Sequence, residues 1–201
     1  QGRIFEQVIL HGKLRPLADE KELRCLSPKA FISEIIDLVR NSILAAYTEA
    51  ELNMIRNIFG EKDQKPQTIK YCNMKTAAMK YINTDPDRRQ KFNDLPPFLL
   101  GANDYQQQRM QRSLASVARM FPVKIPSAYH PGQTSKRFRD MLNGLRVQNG
   151  DYSSLTTTQK AKGTKALNHN KFDVEVLPVM FKKILADNPK HIKQSTQIVT
   201  F

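Results

Sequence analysis

The fold class is decided by residues 27–43, which read SPKAFISEIIDLVRNSI. Ser27 can cap a helix that begins at Pro28, because a serine oxygen accepts from the free N–H groups of the first turn and proline tolerates that position. Large apolar residues then recur at the spacing of an amphipathic helix. We therefore predict a long helix, central to the core, whose broad buried face contains Phe31, Ile32, Ile35, Ile36, Leu38, Val39, Ser42 and Ile43.

Similar patterns extend in both directions along the chain. Thr48 and Glu51 have the spacing of a capping box, and Asp85 precedes a proline as helix-start residues do. Helical periodicity predicts further helices over residues 48–59, 68–83, 85–93, 103–121, 134–148 and 176–186. No segment gives a convincing strand pattern. The sequence thus predicts an all-α fold, a bundle of about seven to nine helices.

The helices divide at the Leu95-Pro96-Pro97 step, because a residue before proline avoids the α region. We predict two lobes joined near Leu95–Gly101: an N-terminal helical lobe, residues 1–94, and a basic C-terminal helical lobe, residues 101–201. Residues 151–170 are poor in large apolar side chains, which favours a mobile loop with one weak helix. The segment after Ser195 is expected to fray or to add to a partner.

Composition excludes several classes of protein. The chain has 201 residues, 40% of them hydrophobic, and no apolar run near the length of a membrane span, which takes about 20 residues. Cys25 and Cys72 are too few for a disulfide scaffold, so we expect reduced thiols and a cytoplasmic, intracellular protein. The chain starts at Gln1 without a signal-peptide pattern, which indicates a fragment or a processed chain.

Positive charge is concentrated in the second half of the sequence. The net charge is +13, and residues 1–100 hold 16 Lys and Arg against 13 Asp and Glu, a balance of +3. Residues 101–201 hold 16 against 6, a balance of +10. Such a field attracts phosphate polymers and anionic lipid headgroups, and binding that depends on it weakens with salt.

Two predicted helices carry rows of cations. At about 100° per residue, Arg109, Arg112, Ser116 and Arg119 share one stripe of the first helix. The second helix repeats the arrangement with Lys136, Arg139 and Arg146, opposite a stripe of Phe138, Met141, Leu142 and Leu145. Guanidinium rows suit phosphate oxygens, to which they donate charge-assisted hydrogen bonds. Ordinary solvated faces are the alternative, although these would be expected to mix both signs of charge.

The turn that enters the second helix, residues 129–137, could seat a phosphate. Free N–H groups at a helix start favour anions, and here they adjoin the hydroxyls and cations of Thr134, Ser135, Lys136 and Arg137. The spacing is not that of a nucleotide-binding P-loop, because the first glycine is missing. A simple N-cap at Thr134 or Ser135 is the alternative interpretation.

Two further groups could contribute to binding. Tyr105, Tyr129 and Tyr152 lie outside the apolar stripes, and exposed rings could stack on bases, although packing against a neighbouring loop is the more common role. Lys160, Lys162, Lys165 and Lys171 fall in the segment expected to be mobile. They could wrap a phosphate backbone as a flexible arm or form a solvated loop.

Catalytic and metal sites are not indicated. The four histidines are scattered, the two cysteines lack ligand spacing, and no nucleophile motif is present, so we expect no enzyme, no cofactor and no metal. Asp85, Asp87 and Asp94 come closest to an acidic cluster and are interpreted as helix-start residues that balance nearby arginines. An enzyme would need an active site assembled from residues far apart in the sequence, and a deep pocket near His130 or the segment from Asp85 to Asp94 would favour one.

These patterns favour a non-enzymatic protein that binds or packages nucleic acid, with RNA or a single strand preferred and a nucleocapsid-like role suggested. The alternative is a helical interaction, adaptor or effector module whose basic face meets an acidic protein or a phosphoinositide membrane surface. Formation of a homo-oligomer or a larger assembly is compatible with both.

Overall fold

A computed structural model describes residues 8–9, 12–39, 42–59, 68–96, 111–126, 129 and 134–200. Within these residues the chain forms nine α-helices and two small β-sheets. The predicted helical character and the predicted number of helices are confirmed. The expectation of a purely all-α fold is wrong, because a three-stranded mixed sheet is present.

The helices and strands are numbered in chain order. The helices are α1 (Arg15–Glu20), α2 (Pro28–Val39), α3 (Glu49–Phe59), α4 (Met74–Asn83), α5 (Pro86–Asn93), α6 (Leu114–Ala118), α7 (Thr134–Val147), α8 (Thr157–Asp187) and α9 (Pro189–Lys193). The strands are β1 (Val8–Ile9), β2 (Arg24–Cys25), β3 (Ile43–Ala46), β4 (Thr68–Asn73) and β5 (Thr196–Thr200). A 3-10 turn over Gly12–Leu14 precedes α1.

Three of the predicted helix starts are confirmed by their hydrogen bonds. Ser27 Oγ accepts from the N–H of Ala30 at 3.2 Å, which caps α2. Thr48 and Glu51 form the capping box of α3, in which the N–H of Thr48 donates to Glu51 Oε2 at 3.3 Å. At α5, Asp85 Oδ1 accepts from the N–H of Arg88 at 2.8 Å. These caps satisfy backbone donors that have no partner inside the helix.

The larger sheet has the strand order β3-β4-β5. Strands β3 and β4 are parallel and joined through α3, whereas β5 pairs antiparallel with β4. The predicted helices over 27–43 and 68–83 are therefore too long, because β3 and β4 occupy one end of each range. Leu38, which was expected to be buried in the first of these helices, is 68% exposed.

Short apolar runs such as Ile43–Ala46 fit a strand and a helical turn equally well, which explains these errors. In β4, Ile69 and Tyr71 are buried while Thr68 and Lys70 are exposed. This alternation of period two extends over only four residues before α4 begins. The five residues of β5 were expected to fray or to add to a partner, whereas they pair with β4 of the same chain, Thr200 with Thr68 and Thr196 with Cys72.

Contacts divide the chain into two units, each built from two segments. The first unit contains Gln1–Glu34 and Ser127–Glu175, and the second contains Ile35–Pro126 and Val176–Phe201. The division falls inside α8, whose residues up to Glu175 belong to the first unit and whose residues from Val176 belong to the second. The predicted lobes, residues 1–94 and 101–201, stay a prediction.

Each unit has its own core. In the first unit, α1, α7 and the start of α8 bury a cluster of Leu14, Leu17, Ala18, Met141, Leu145, Tyr152, Leu155 and Leu167. In the second unit, one face of the three-stranded sheet packs with α3 through Ala46, Leu52, Ile69, Tyr71 and Val199. Cys25 and Cys72 are free thiols, as predicted.

The segment expected to be a mobile loop is helical for most of its length. α8 begins at Thr157, and Thr156 forms a capping box with Gln159, whose N–H donates to Thr156 Oγ1 at 3.3 Å. Its first turns bury Gly163 and Ala166, which are small enough to let α8 approach α7 closely. A lack of large apolar residues here reflects close helix packing rather than a lack of packing.

Candidate functional site

Helix α7 presents the clearest group of exposed cations. Its buried side consists of Met141, Gly144 and Leu145, which face the core of the first unit. Burial of this side fixes the rotation of the helix and turns the opposite side to solvent. Three exposed cations lie on that opposite side at spacings of three and seven residues: Lys136, Arg139 and Arg146. We call these three residues the cationic face.

The single acid of α7 is held by a neighbouring helix. Lys162 on α8 donates to Asp140 Oδ2 at 2.7 Å. This hydrogen bond lowers the pKa of the Asp140 carboxyl, and the positive charges of Lys136 and Arg139 act in the same direction. Because Asp140 is already paired with Lys162, it neutralises little of the charge of the cationic face.

The predicted phosphate seat is only partly described. Residues 130–133, which form the predicted entry to the helix, lie outside the described residues. Thr134 and Arg137 are half-buried, whereas Ser135 and Lys136 are exposed. The hydroxyl of Ser135 and the ammonium of Lys136 therefore remain accessible at the first turn of α7.

The row of cations that was predicted on the helix before α7, over residues 103–121, is not formed as expected. Arg109 lies outside the described residues, and the helix does not run through to Phe121, because α6 starts afresh after the cap Ser113. Ser116, placed on the row by its spacing, is 4% exposed. Arg119 donates from Nη1 to the backbone oxygen of Pro96 at 2.7 Å. Within the described part of this row, residues 112–119, the prediction of a continuous exposed stripe is therefore wrong.

Arg112 remains exposed beside this break. Its backbone oxygen accepts from the hydroxyl of Tyr47 at 2.8 Å, which anchors the main chain and leaves the guanidinium at the surface. Arg112 and Arg119 belong to the second unit, whereas the cationic face belongs to the first.

The predicted lysine arm is a helix surface. Lys160 donates to the backbone oxygen of Ser153 at 2.9 Å and lies 5.5 Å from the centre of the Tyr152 ring. Lys162 pairs with Asp140, and Lys165 is exposed on α8. The prediction of a flexible arm is thus wrong, because the backbone of Lys160, Lys162 and Lys165 is fixed in the first turns of α8.

Of the three tyrosines considered for stacking on bases, the two that the structure describes are buried. Tyr105 lies outside the described residues, whereas Tyr129 and Tyr152 are 7% and 8% exposed. The Tyr129 ring stacks on His169 with centroids 4.0 Å apart, and its hydroxyl donates to Asp173 Oδ1 at 2.5 Å. Tyr152 is part of the core of the first unit. Both rings pack inside the protein, which was the more common role expected for them, and neither offers a free face to a base.

Two of the three acidic residues considered for catalysis accept hydrogen bonds from α5. Asp85 caps α5, and Asp94 accepts from Gln90 Nε2 at 2.9 Å. His130 lies outside the described residues. No group of three His, Cys, Asp or Glu that could hold a metal ion occurs in the described part of the chain.

A polar network that the sequence did not indicate connects α8 with α4 and α5. Asp187 accepts from the hydroxyl of Tyr81 at 2.6 Å and from Lys183 at 3.0 Å. Arg88 lies 3.9 Å above the Tyr81 ring and 3.7 Å from Asp187. The hydrogen bonds from Tyr81 and Lys183 lower the pKa of Asp187. Tyr81 and Arg88 lie about a hundred positions before Asp187, so no local motif could have revealed their contacts with it.

A groove over the sheet of the second unit was also missed. It has a volume of about 750 Å³ and a mostly apolar lining, which includes Ile43, Leu185 and Ile198. Three lysines lie at its margin, namely Lys70, Lys190 and Lys193. Its walls come from β3, β4, β5, α8 and α9, so only the tertiary fold assembles it.

Comparison of the chain with protein-family models, with curated proteins and with solved structures gives no match. Among the helices of the described residues, none combines the length and the apolar character that crossing a bilayer requires.

Proposed function

We propose that this chain is a non-enzymatic protein that binds nucleic acid through the cationic face of α7. The observation that carries the proposal is the exposure of Lys136, Arg139 and Arg146 on one side of a helix whose single acid is paired elsewhere. At 1.5 Å per residue these cations extend over about 15 Å of helix axis. That length covers four or five phosphates at about 3.4 Å per nucleotide.

The proposed binding is to the phosphate backbone rather than to particular bases. Tyr129 and Tyr152 are buried, so stacking by these rings does not enter the proposal. Arginine and lysine reach phosphate oxygens regardless of the bases, and arginine can donate two parallel hydrogen bonds. We expect single-stranded RNA and DNA of the same length to bind with similar affinity.

A charge-reversal triple variant tests this function: Lys136→Glu, Arg139→Glu and Arg146→Glu together. The matched control reverses three exposed lysines outside α7, Lys21, Lys91 and Lys124. Both variants carry a net charge of +7 instead of +13, since each reversal changes the charge by −2. A difference between them therefore reports the position of the charges and not their sum.

Fluorescence anisotropy with a labelled 20-nucleotide RNA, measured between 50 and 200 mM salt, gives the affinity. Each lost phosphate contact reduces the slope of log affinity against log salt by about 0.7, so three lost contacts reduce it by about 2. The control should keep most of the wild-type slope. Equal slopes in both variants, or no wild-type binding at 50 mM salt, would refute the proposal. Binding to phosphoinositide vesicles without binding to RNA would favour the membrane alternative.

A further inference from the structure

The two faces of the three-stranded sheet are covered unequally. On one face, Ile69, Tyr71 and Val199 are buried in a core with Leu52 of α3. On the other face, the strand register places Ile43 beside Lys70 and Lys70 beside Ile198, which makes a row across all three strands. Ile43 is 40% exposed and Ile198 is 73% exposed. This end of the second face therefore has no cover among the described residues.

The uncovered row forms the floor of the groove described above. The end of α8 and the start of α9 form a wall beside it, where Leu185 is 45% exposed. A volume of about 750 Å³ is enough to accept several large side chains. Contiguous apolar surface of this kind is uncommon on a chain without a partner and marks interaction sites.

The margin of the groove carries only positive charge. Lys70, Lys190 and Lys193 are exposed, and none of them forms an ion pair with a carboxylate among the described residues. The described lining contains neither Asp nor Glu. A partner that buries apolar side chains on Ile43 and Ile198 would therefore gain most if acidic side chains flanked them.

We infer that the groove binds an acidic amphipathic peptide segment of a partner protein, with at least two large apolar side chains between Asp or Glu residues. A nucleic acid suits the lining less well, because the described lining offers no aromatic ring for a base. A second copy of the chain is disfavoured, since both copies carry a net charge of +13. A bilayer fits a concave surface less well than a narrow peptide does.

This inference does not depend on the cationic face, which belongs to the other unit. The two proposals can therefore fail separately. Substitutions in the groove should leave RNA binding unchanged, and charge reversal on α7 should leave peptide binding unchanged. Loss of RNA binding in a groove variant would show that nucleic acid occupies the groove and would overturn the inference.

A library of random 16-residue peptides, displayed on phage and selected on the full chain, provides the test. We expect the enriched peptides to share two or more Leu, Ile, Phe or Trp residues flanked by Asp or Glu. A synthetic consensus peptide should bind the wild type in fluorescence anisotropy. Ile198→Asp should weaken this binding at least about tenfold, the usual effect of losing one buried apolar contact.

Two further variants keep the result interpretable. Lys190→Glu with Lys193→Glu changes only exposed side chains of α9 and should also weaken the peptide at least about tenfold, with a smaller effect at high salt. Val147→Asp is the matched control, because Val147 is 72% exposed and lies on α7. Thermal unfolding followed by circular dichroism verifies that each variant is folded.

Several outcomes would overturn the inference. These are the absence of enriched peptides, enrichment of basic or purely polar peptides, and equal binding of the consensus peptide to wild type and Ile198→Asp. A dimer in sedimentation velocity that Ile198→Asp abolishes would identify a second copy as the occupant. Binding to phosphatidylserine vesicles that Ile198→Asp abolishes would identify a lipid surface.

Discussion

Replacing Gly163 by alanine tests how closely α8 packs on α7. A β-carbon at this position would overlap Met141 Sδ and would lie 3.4 Å from both δ-carbons of Leu17. Met141 is fully buried in the core of the first unit and cannot move out into solvent. The same contact orients α7, whose outer side carries the cationic face.

Two opposing effects determine the result of Gly163→Ala. Alanine is favoured over glycine inside a helix by about 1 kcal/mol. Forcing an extra methyl group into a packed core costs about 1–3 kcal/mol. Because the methyl group meets the middle of the Met141 side chain rather than a flexible end, the upper part of this range applies. We expect the free energy of unfolding to fall by about 1–2 kcal/mol.

Urea unfolding followed by circular dichroism measures this change. Gly12→Ala is the control, because a β-carbon there meets nothing within 4 Å, and it should change stability by less than about 0.5 kcal/mol. In the double variant, Met141→Val removes the overlapping sulfur, so the two substitutions should cost less together than the sum of their separate effects. An increase in stability of Gly163→Ala by the full helix-propensity gain would refute the close packing.

Two more substitutions test the second unit. The hydroxyl of the fully buried Tyr71 donates to the backbone oxygen of Thr48, and Tyr71→Phe removes this donor. The free energy of unfolding, measured in urea, should therefore fall by about 1–3 kcal/mol. An unchanged value would mean that water replaces the donor. Asp187→Asn keeps an acceptor for Tyr81 but loses the charge that pairs with Lys183. Folding lowers the pKa of Asp187 below its unfolded value, which is near 3.9. The contribution of this carboxylate to the stability of the fold is therefore present above about pH 3.9 and is lost as the pH falls through the folded-state pKa. The midpoint temperature of thermal unfolding should therefore be lower for Asp187→Asn than for the wild type at pH 7, and equal for both well below about pH 3.9. Equal midpoints at pH 7 would contradict a stabilising role of the Asp187 charge.

Features that depend on neighbouring residues could be predicted from the sequence. The capping residues Ser27, Thr48 and Asp85 accept the expected backbone hydrogen bonds. Helix α7 begins at the predicted residue and ends one residue early, before the turn in which Asn149 and Gly150 have positive φ angles. Each of these signals arises within a few residues, so tertiary contacts had little opportunity to override it.

Features that depend on distant residues could not be predicted. Strand β4 is stabilised by β3 and β5, and Thr68 pairs with a residue 132 positions later. Tyr129 is buried by His169 and Phe172, whereas its neighbours in sequence gave no sign of burial. The groove likewise combines residues from 43 to 198. Periodicity reports which side of an element is apolar and does not report which element covers it.

The position of β5 in the sheet has a consequence for biosynthesis. Between the end of β4 at Asn73 and the end of β5 at Thr200, a ribosome must add 127 residues. At 5–20 residues per second this takes about 6–25 s, during which the edge of β4 that later pairs with β5 lacks that partner. A nascent chain exposes its unpaired strand edge throughout this interval, and such edges recruit other strands. Protection of this edge by a chaperone would therefore matter more for the second unit than the small size of its sheet suggests.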